Sequence, residues 1–414
     1  MHRGVLAFCV TISLAEIVPA EDLLLNSGLV AVSFSDFESP EQLTFRDDKN
    51  QPLVVAADQL IRYGHEPIAD FASGLMMVDG SWVVGRIERI AKDQVAISGR
   101  YFRTTLSLTN VRAIALQLPT QPLARASILK TFTDADGGDD RLLSVAGDEI
   151  VGVLQFPPTI DDAPLTFGAT WNLQRGERSD DVAASTLRGI VLSPLLHPIR
   201  PAETGFWFGL DDGTRLAIRS IRRTGDAIEL ELASGESLAF AGDWDQFSAA
   251  VQSIQPVRGA THWLSQQPAL AFKQQASLSE LQWPLATDSG LRGEPLSIAG
   301  YRYRHGLSMH ANAQAAYRIP PDATRFQATI GLATGDDLAN TAGSVVFQVL
   351  TADATKAVRT QFTSPTLRPG DAPISLDIHL GDAKLIVLMA RDAGDGSSGD
   401  HAVWADARFL LGNN

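Results

Sequence analysis

The sequence predicts an all-β protein, with a C-terminal antiparallel sandwich preceded by two or three small β-barrel-like repeat units. Three observations lead there. In the last third, Phe326, Ala328, Ile330 and Leu332 alternate with Arg325, Gln327, Thr329 and Gly331, a period of two that puts one face on a core and the other in water. Asp-Gly or Gly-Asp pairs at 79–80, 147–148 and 212–213 each lead into alternating residues. Such pairs supply the positive φ of a tight hairpin. The chain has 414 residues, 45% of them hydrophobic, a composition able to fill cores and a length that allows several domains.

The first twenty residues, MHRGVLAFCVTISLAEIVPA, combine one arginine, an apolar stretch over 5–14 and small residues before Ala20. They read as a signal peptide cleaved near Ala20, so a secreted or periplasmic location is expected; an ordinary first strand or helix is the alternative. The single cysteine, Cys9, lies inside that stretch, and Phe8 before it does not suit lipoprotein processing. Cleavage would leave no disulfide, and the modules would depend on their cores alone. No later apolar run reaches the roughly 18 residues that span a bilayer, so membrane insertion is not expected. With 34 Lys and Arg against 48 Asp and Glu, the net charge of −14 opposes nucleic-acid binding. Neutral ligands such as sugars stay open, because they are recognised by hydrogen bonds and flat apolar faces.

Residues 21–70 form a mixed N-terminal segment in which 53–63 is a short helix or strand. Three imperfect repeats follow, over 71–130, 141–200 and 201–256. Each runs from a hairpin pair through alternating strands to a closing motif of an apolar, a polar and a small residue followed by Ile: Val111-Arg112-Ala113-Ile114, Leu187-Arg188-Gly189-Ile190 and Val251-Gln252-Ser253-Ile254. The likeness is to small SH3-like or Sm-like barrels, at the level of fold. The acidic stretch TFTDADGGDD at 131–140 reads as a solvated, turn-rich linker, since its spacing misses the alternate-ligand pattern of a calcium loop. Residues 257–276, rich in Pro, Gln and Ser, read as a second linker.

From 277 onward, strands are expected at 296–303, 314–319, 325–332, 344–350, 374–380, 384–389 and 404–411, enough for an antiparallel sandwich. The stretch LIVLMARDAGDGSSGDHAVWADARFLL at 385–411 places a dense Asp, Gly, Ser and His loop between two apolar strands. Together with Trp283, GLSMHA at 306–311 and residues 331–337, it resembles the NPCBM family of carbohydrate-binding modules found in secreted bacterial proteins. The resemblance covers the last third of the chain and implies a galactose-binding-like jelly roll that binds glycans. It departs at 351–354, where Thr-Ala-Asp-Ala stands in place of an Asp-Gly turn.

Sugar recognition needs charged and amide groups to fix neighbouring hydroxyls and an aromatic face for the ring. The candidates are His310, Arg391, Asp395, Asp400, His401 and Trp404, each of which has a structural alternative as a loop-pinning or core residue. Tyr301, Tyr303 and Tyr317 are further possible platforms. Asp336 and Asp337 could hold a structural Ca²⁺; no other cofactor is implied. An enzyme is not expected: no Glu follows Glu294, and no nucleophile elbow, zinc-binding helix or phosphate loop is present. The expected partner is a glycan or cell-surface polysaccharide. The alternatives are an envelope scaffold that binds other proteins and an unrecognised polysaccharide hydrolase.

Overall fold

The computed structural model describes residues 21–67, 71–156, 170–259, 261–275, 282–334 and 343–412. The architecture is antiparallel β, with two α-helices, Pro122–Asp134 and Trp244–Ala250, among the described residues.

The described residues of 21–256 repeat one meander four times, with five strands in three copies and six in the copy where Gly85 separates Trp82–Val84 from Arg86–Ile90. In each copy a hairpin opens a meander whose last strand returns to pair with its first. The register is Leu142↔Ile190 in the copy that runs from Asp140–Ser144 to Leu187–Val191. It is Ile114↔Leu75 between Gly74–Met77 and Val111–Ala115, and Phe208↔Ile254 between Phe206–Leu210 and Val251–Pro256. The hairpin glycines Gly80, Gly147 and Gly213 hold the positive φ that the sequence demanded. Ahead of each closing strand sits a helical turn, at Leu108–Asn110, Ala184–Thr186 and Trp244–Ala250.

The remaining copy, first in chain order, is the N-terminal segment itself. Its strands run from Glu21–Leu25 to Leu60–Gly64, and Leu23 pairs with Tyr63. Residues 53–63 are two strands with a turn between them, Pro52–Ala56 and Leu60–Gly64. This copy hides from sequence comparison because Arg62 stands where the others have Ala, Gly or Ser.

The copies are not separate beads. Closing strands pair across copies, Ala113↔Val191 through Ala115↔Gly189 in one case and Ser253↔Gly64 with Ile254↔Tyr63 in the other. One hydrophobic core consequently runs from Leu23 to Ile254. The small residue of the motif permits a close approach: a Cβ on Gly189 would sit 2.5 Å from the ring of Phe132.

Two linkers expected from composition are structured. Residues 131–134 end the helix Pro122–Asp134, and Asp140 opens a strand. Asp140 is buried and accepts backbone N–H bonds from Ser193 and Leu154. Buried Arg112 donates to the carbonyls of Phe132 and Ala135 at the end of the helix, satisfying acceptors that a helix terminus leaves open. The second linker, 257–276, likewise contributes strands: Thr261–Trp263 pairs with His401–Leu411, and Ala271–Gln274 pairs with Ala313–Arg318. The sandwich therefore begins near 261, not at 277. These strands are three and four residues long, too short to show a period, yet each covers a sheet position that would otherwise stay unpaired.

One sheet of the sandwich is ordered Ala286–Thr287, Gly306–His310, His401–Leu411, Ala323–Leu332, Ile374–His379; the other is ordered Ala271–Gln274, Ala313–Arg318, Leu385–Asp392, Val345–Ala352, Val358–Thr363. Trp404, Phe347, Tyr317, Phe326 and Phe409 fill the space between them. The stretch 296–303 forms a separate small hairpin, Ser297–Ile298 with Tyr301–Arg302. At 351–354 the departure from Asp-Gly is absorbed by Asp353, whose Oδ1 accepts bonds from the backbone of Thr355 and Ala357.

The first barrel and the sandwich meet through charge. Arg62 and Asp406, 344 positions apart, form a buried pair at 2.9 Å, and Arg62 also donates to the Gly64 carbonyl and lies over Tyr303. His65 packs on Tyr301 and Tyr303, and burial with Arg62 nearby lowers its pKa to about 4. Removing one partner of a buried pair strands the other charge, at a cost of about 3–5 kcal/mol. Asp406→Asn keeps the shape and tolerates the residue's φ of 51°. It is expected to lower stability by about that amount in chemical denaturation and to split one transition into two. A single transition displaced by less than about 1 kcal/mol would show that other contacts hold the junction.

Candidate functional site

The register between Gly306–His310 and His401–Leu411 sets His310 opposite His401 at one end of the sandwich. Their rings lie 5.5 Å apart. Trp283, anchored by a backbone N–H donated to Gln274 Oε1, stacks parallel to His310 at 5.9 Å and 7° and lies 5.8 Å from His401. His310 and Trp283 are half-buried and His401 is buried, so two of the three rings reach solvent. His310 Nδ1 lies 2.6 Å from the Ala311 carbonyl. With Nδ1 as the donor, Nε2 becomes a free acceptor in the neutral ring. Burial, then the neighbouring His310 and Arg292, lower the His401 pKa to about 4, so its ring is neutral at physiological pH.

The Asp-rich loop leaves the strand Leu385–Asp392 beside these rings. Asp392 and Asn312 bond reciprocally: the Asp392 N–H donates to Asn312 Oδ1, and Asn312 Nδ2 donates to the Asp392 carboxylate. Ser344, just ahead of the neighbouring strand Val345–Ala352, ties the loop down, its N–H on Asp400 Oδ1 at 2.7 Å and its hydroxyl on Asp395 Oδ1 at 2.6 Å. Asp400 is fully buried, and its Oδ2 has no partner among the described residues. Burial, then the charges of Asp395 and Asp392, push its pKa up to about 6.

The six candidates divide accordingly. His310 and His401 meet Trp283; Asp395 and Asp400 brace the loop alongside, and Asp395 remains exposed. Arg391 is exposed on the rim of a cleft of about 820 Å³ that Asn312 and Asp392 also line. Trp404 takes no part in this face. It is fully buried and packs edge-on against Phe347 at 5.2 Å, because the strand alternation turns it inward. Asp336 and Asp337 lie outside the described residues. Tyr317 is buried in the core, Tyr303 at the junction, and Tyr301 is exposed against His65. Sequence reasoning did not select Trp283 as a platform, or Arg292 and Asn312 as neighbours. The one available signal was a tryptophan in a polar stretch, Gln282-Trp283-Pro284, that no strand alternation would bury.

Two packed antiparallel sheets with an aromatic and imidazole face at the loop end define a β-sandwich module suited to a flat ligand. Residues 260–410 match the family model described as "NPCBM/NEW2 domain", so the C-terminal third of the chain is an NPCBM/NEW2 domain. A curated relative from Renibacterium salmoninarum, named "Putative endo-alpha-N-acetylgalactosaminidase", is 31% identical over 118 residues; these are 28% of this chain and 7% of that protein. The chain thus spans a small fraction of that relative's length. Among solved structures, a module from Clostridium perfringens in complex with methyl-galactose is 18% identical with a TM-score of 0.31, covering 36% of this chain and 99% of that one. Tandem modules of a family 98 glycoside hydrolase from Streptococcus pneumoniae are 12% identical with a TM-score of 0.30, covering 82% and 88%.

The raised pKa of Asp400 has a definite sign. The native state holds this proton more tightly than the unfolded chain, so the stabilisation is complete below the ordinary value of 3.8 and is lost as pH rises through about 6. His401 acts oppositely, destabilising as pH falls from 6.5 toward 4. Asp400→Asn retains the acceptor for Ser344 and removes the buried charge. It is expected to raise stability by about 1–3 kcal/mol at pH 7.5, with the gain vanishing below about pH 4. Thermal melts across that range check it; a destabilised variant at pH 7.5 would instead mean that the carboxylate is held by a cation.

Proposed function

We propose that this is an exported, non-catalytic carbohydrate-binding protein, whose C-terminal domain recognises a glycan on the face built by Trp283, His310 and the loop 392–400. The observation that carries the reading is the parallel stack of Trp283 on His310. It presents a flat π surface, on which the C–H side of a sugar ring packs, beside the exposed groups Asp395, Arg391 and Arg292 that can take neighbouring hydroxyls. The NPCBM/NEW2 match over 260–410 supports the same ligand class. The four barrels are read as SH3-like copies that hold this face out on a rigid support. The glycosidase name of the relative belongs to a protein of which the shared segment is 7%, and the reading does not carry that activity over. Export rests on the signal-like residues 1–20.

The test is a glycan array probed with the full chain, with and without chelator, alongside Trp283→Ala, Asp395→Ala and His310→Ala variants whose circular dichroism and melting are native. Loss of a platform or a charged hydrogen bond costs about 1–3 kcal/mol, so each variant is expected to bind about five- to 150-fold more weakly. A folded wild-type chain that binds no glycan would turn the assignment to a scaffold for envelope proteins. Release of reducing ends from a bound glycan would turn it to a hydrolase.

A further inference from the structure

A second cleft opens where the barrels, the helix Pro122–Asp134 and the sandwich converge, with a volume of about 450 Å³. Small-molecule sites have volumes of roughly 300–1,000 Å³ and favour module interfaces. Arg215 lines it from the fourth barrel and Glu294 from the sandwich. Both side chains are half-buried, so part of each charged group reaches the cleft, while one atom of each, Arg215 Nε and Glu294 Oε1, lies behind that surface with no partner among the described residues. A ligand that is both anion and hydroxyl donor complements the two charged groups.

The charge behind the cleft points the same way. Arg304 lies 4.0 Å over the Trp207 ring, and Arg215 lies 5.3 Å from the same ring. Neither guanidinium has an ion pair among the described residues, and Arg304 Nη1 is buried without a hydrogen bond. Burial and the nearby Arg215 draw the Arg304 pKa down to about 9. Two cations that share one indole, with Glu66 and Asp288 near Arg304 but no carboxylate at ion-pair distance from either, favour an anion beside them. Glu66 and Asp288 on the same walls repel a multiply charged group such as phosphate, which leaves a monoanion. Phe71, under the guanidinium of Arg125 at 4.3 Å, adds an apolar wall.

We propose that this junction cleft binds the carboxylate-bearing unit of an acidic saccharide, a hexuronic acid, with its carboxylate on Arg215 and ring hydroxyls donating to Glu294 and Glu66. The choice of a saccharide rests on the glycan reading of the terminal domain; the pairing of anion with hydroxyl donors rests on the cleft alone. The site is distinct from the loop face, because its walls come mainly from the barrels and the helix.

Titration calorimetry of the full chain with glucuronic and galacturonic acids, and with glucose and galactose as neutral counterparts, tests it. The uronates are expected to bind at least about tenfold more tightly than the neutral sugars, and Arg215→Gln to remove that preference. Because Arg215 is partly buried, Thr133→Trp serves as a second variant: Thr133 is exposed on the helix and lines the cleft, so the indole plugs it without disturbing the core. Absence of uronate binding by the wild type, equal binding of uronate and neutral sugar, or full binding in both variants would overturn the proposal. So would loss of uronate binding in Trp283→Ala, which would move the ligand to the loop face. Array binding lost in Trp283→Ala but kept in Arg215→Gln belongs to the loop face, and uronate binding with the opposite pattern belongs to the cleft, so the two readings fail separately.

Discussion

Almost everything in the C-terminal half depends on the register of one strand, His401–Leu411. It is buried along ten of its eleven residues and pairs with Gly306–His310, Ala323–Leu332 and Thr261–Trp263. His401 at its start enters the loop face, Trp404 fills the core, Asp406 reaches Arg62 in the first barrel, and Arg408 donates to Gln327. A slip of one residue would turn each of these to the opposite side. Site, core and junction are therefore specified together.

The barrels show how a weakly repetitive sequence builds a rigid support. Each copy closes by pairing its first strand with its last, and the last strands then pair with one another across copies. Two copies also exchange bonds between their hairpins: the Ala217 N–H donates to Ser81 Oγ and the Val84 N–H to Thr214 Oγ1. Shared backbone pairing of this kind leaves few unpaired edges, and the large common core resists relative motion of the copies. The sandwich, with the face of Trp283 and His310, is in turn coupled to this block through the Arg62–Asp406 pair.

Legibility in the sequence followed the range of the interactions. The Asp-Gly hairpins and the closing motif could be read because turn geometry and a period of two are local demands. The short strands Thr261–Trp263 and Ala271–Gln274 carry too little pattern, and a composition rich in Gln and Pro disguised them. The first barrel was hidden by Arg62, a charged residue in a closing strand whose partner lies 344 positions away. At the candidate site, the Asp and His loop stood out by residue type, but which aromatic packs beside it did not. Trp404 and Trp283 are the same residue type; only the packing of the sheets sends one into the core and leaves the other half-exposed against His310.

The sequence by itself determined the all-β class, the hairpins, the resemblance of the last third to a carbohydrate-binding module and the chemical types gathered in its loop. These follow from alternation, backbone conformational demands and residue chemistry, all of which act over a few positions. Only the tertiary structure decided that the barrels number four and share a core, that His310, His401 and Trp283 meet, and that uncompensated guanidiniums gather behind a junction cleft. Those outcomes depend on contacts between residues far apart in the chain, where packing and desolvation act on whole surfaces and no local pattern records the partner.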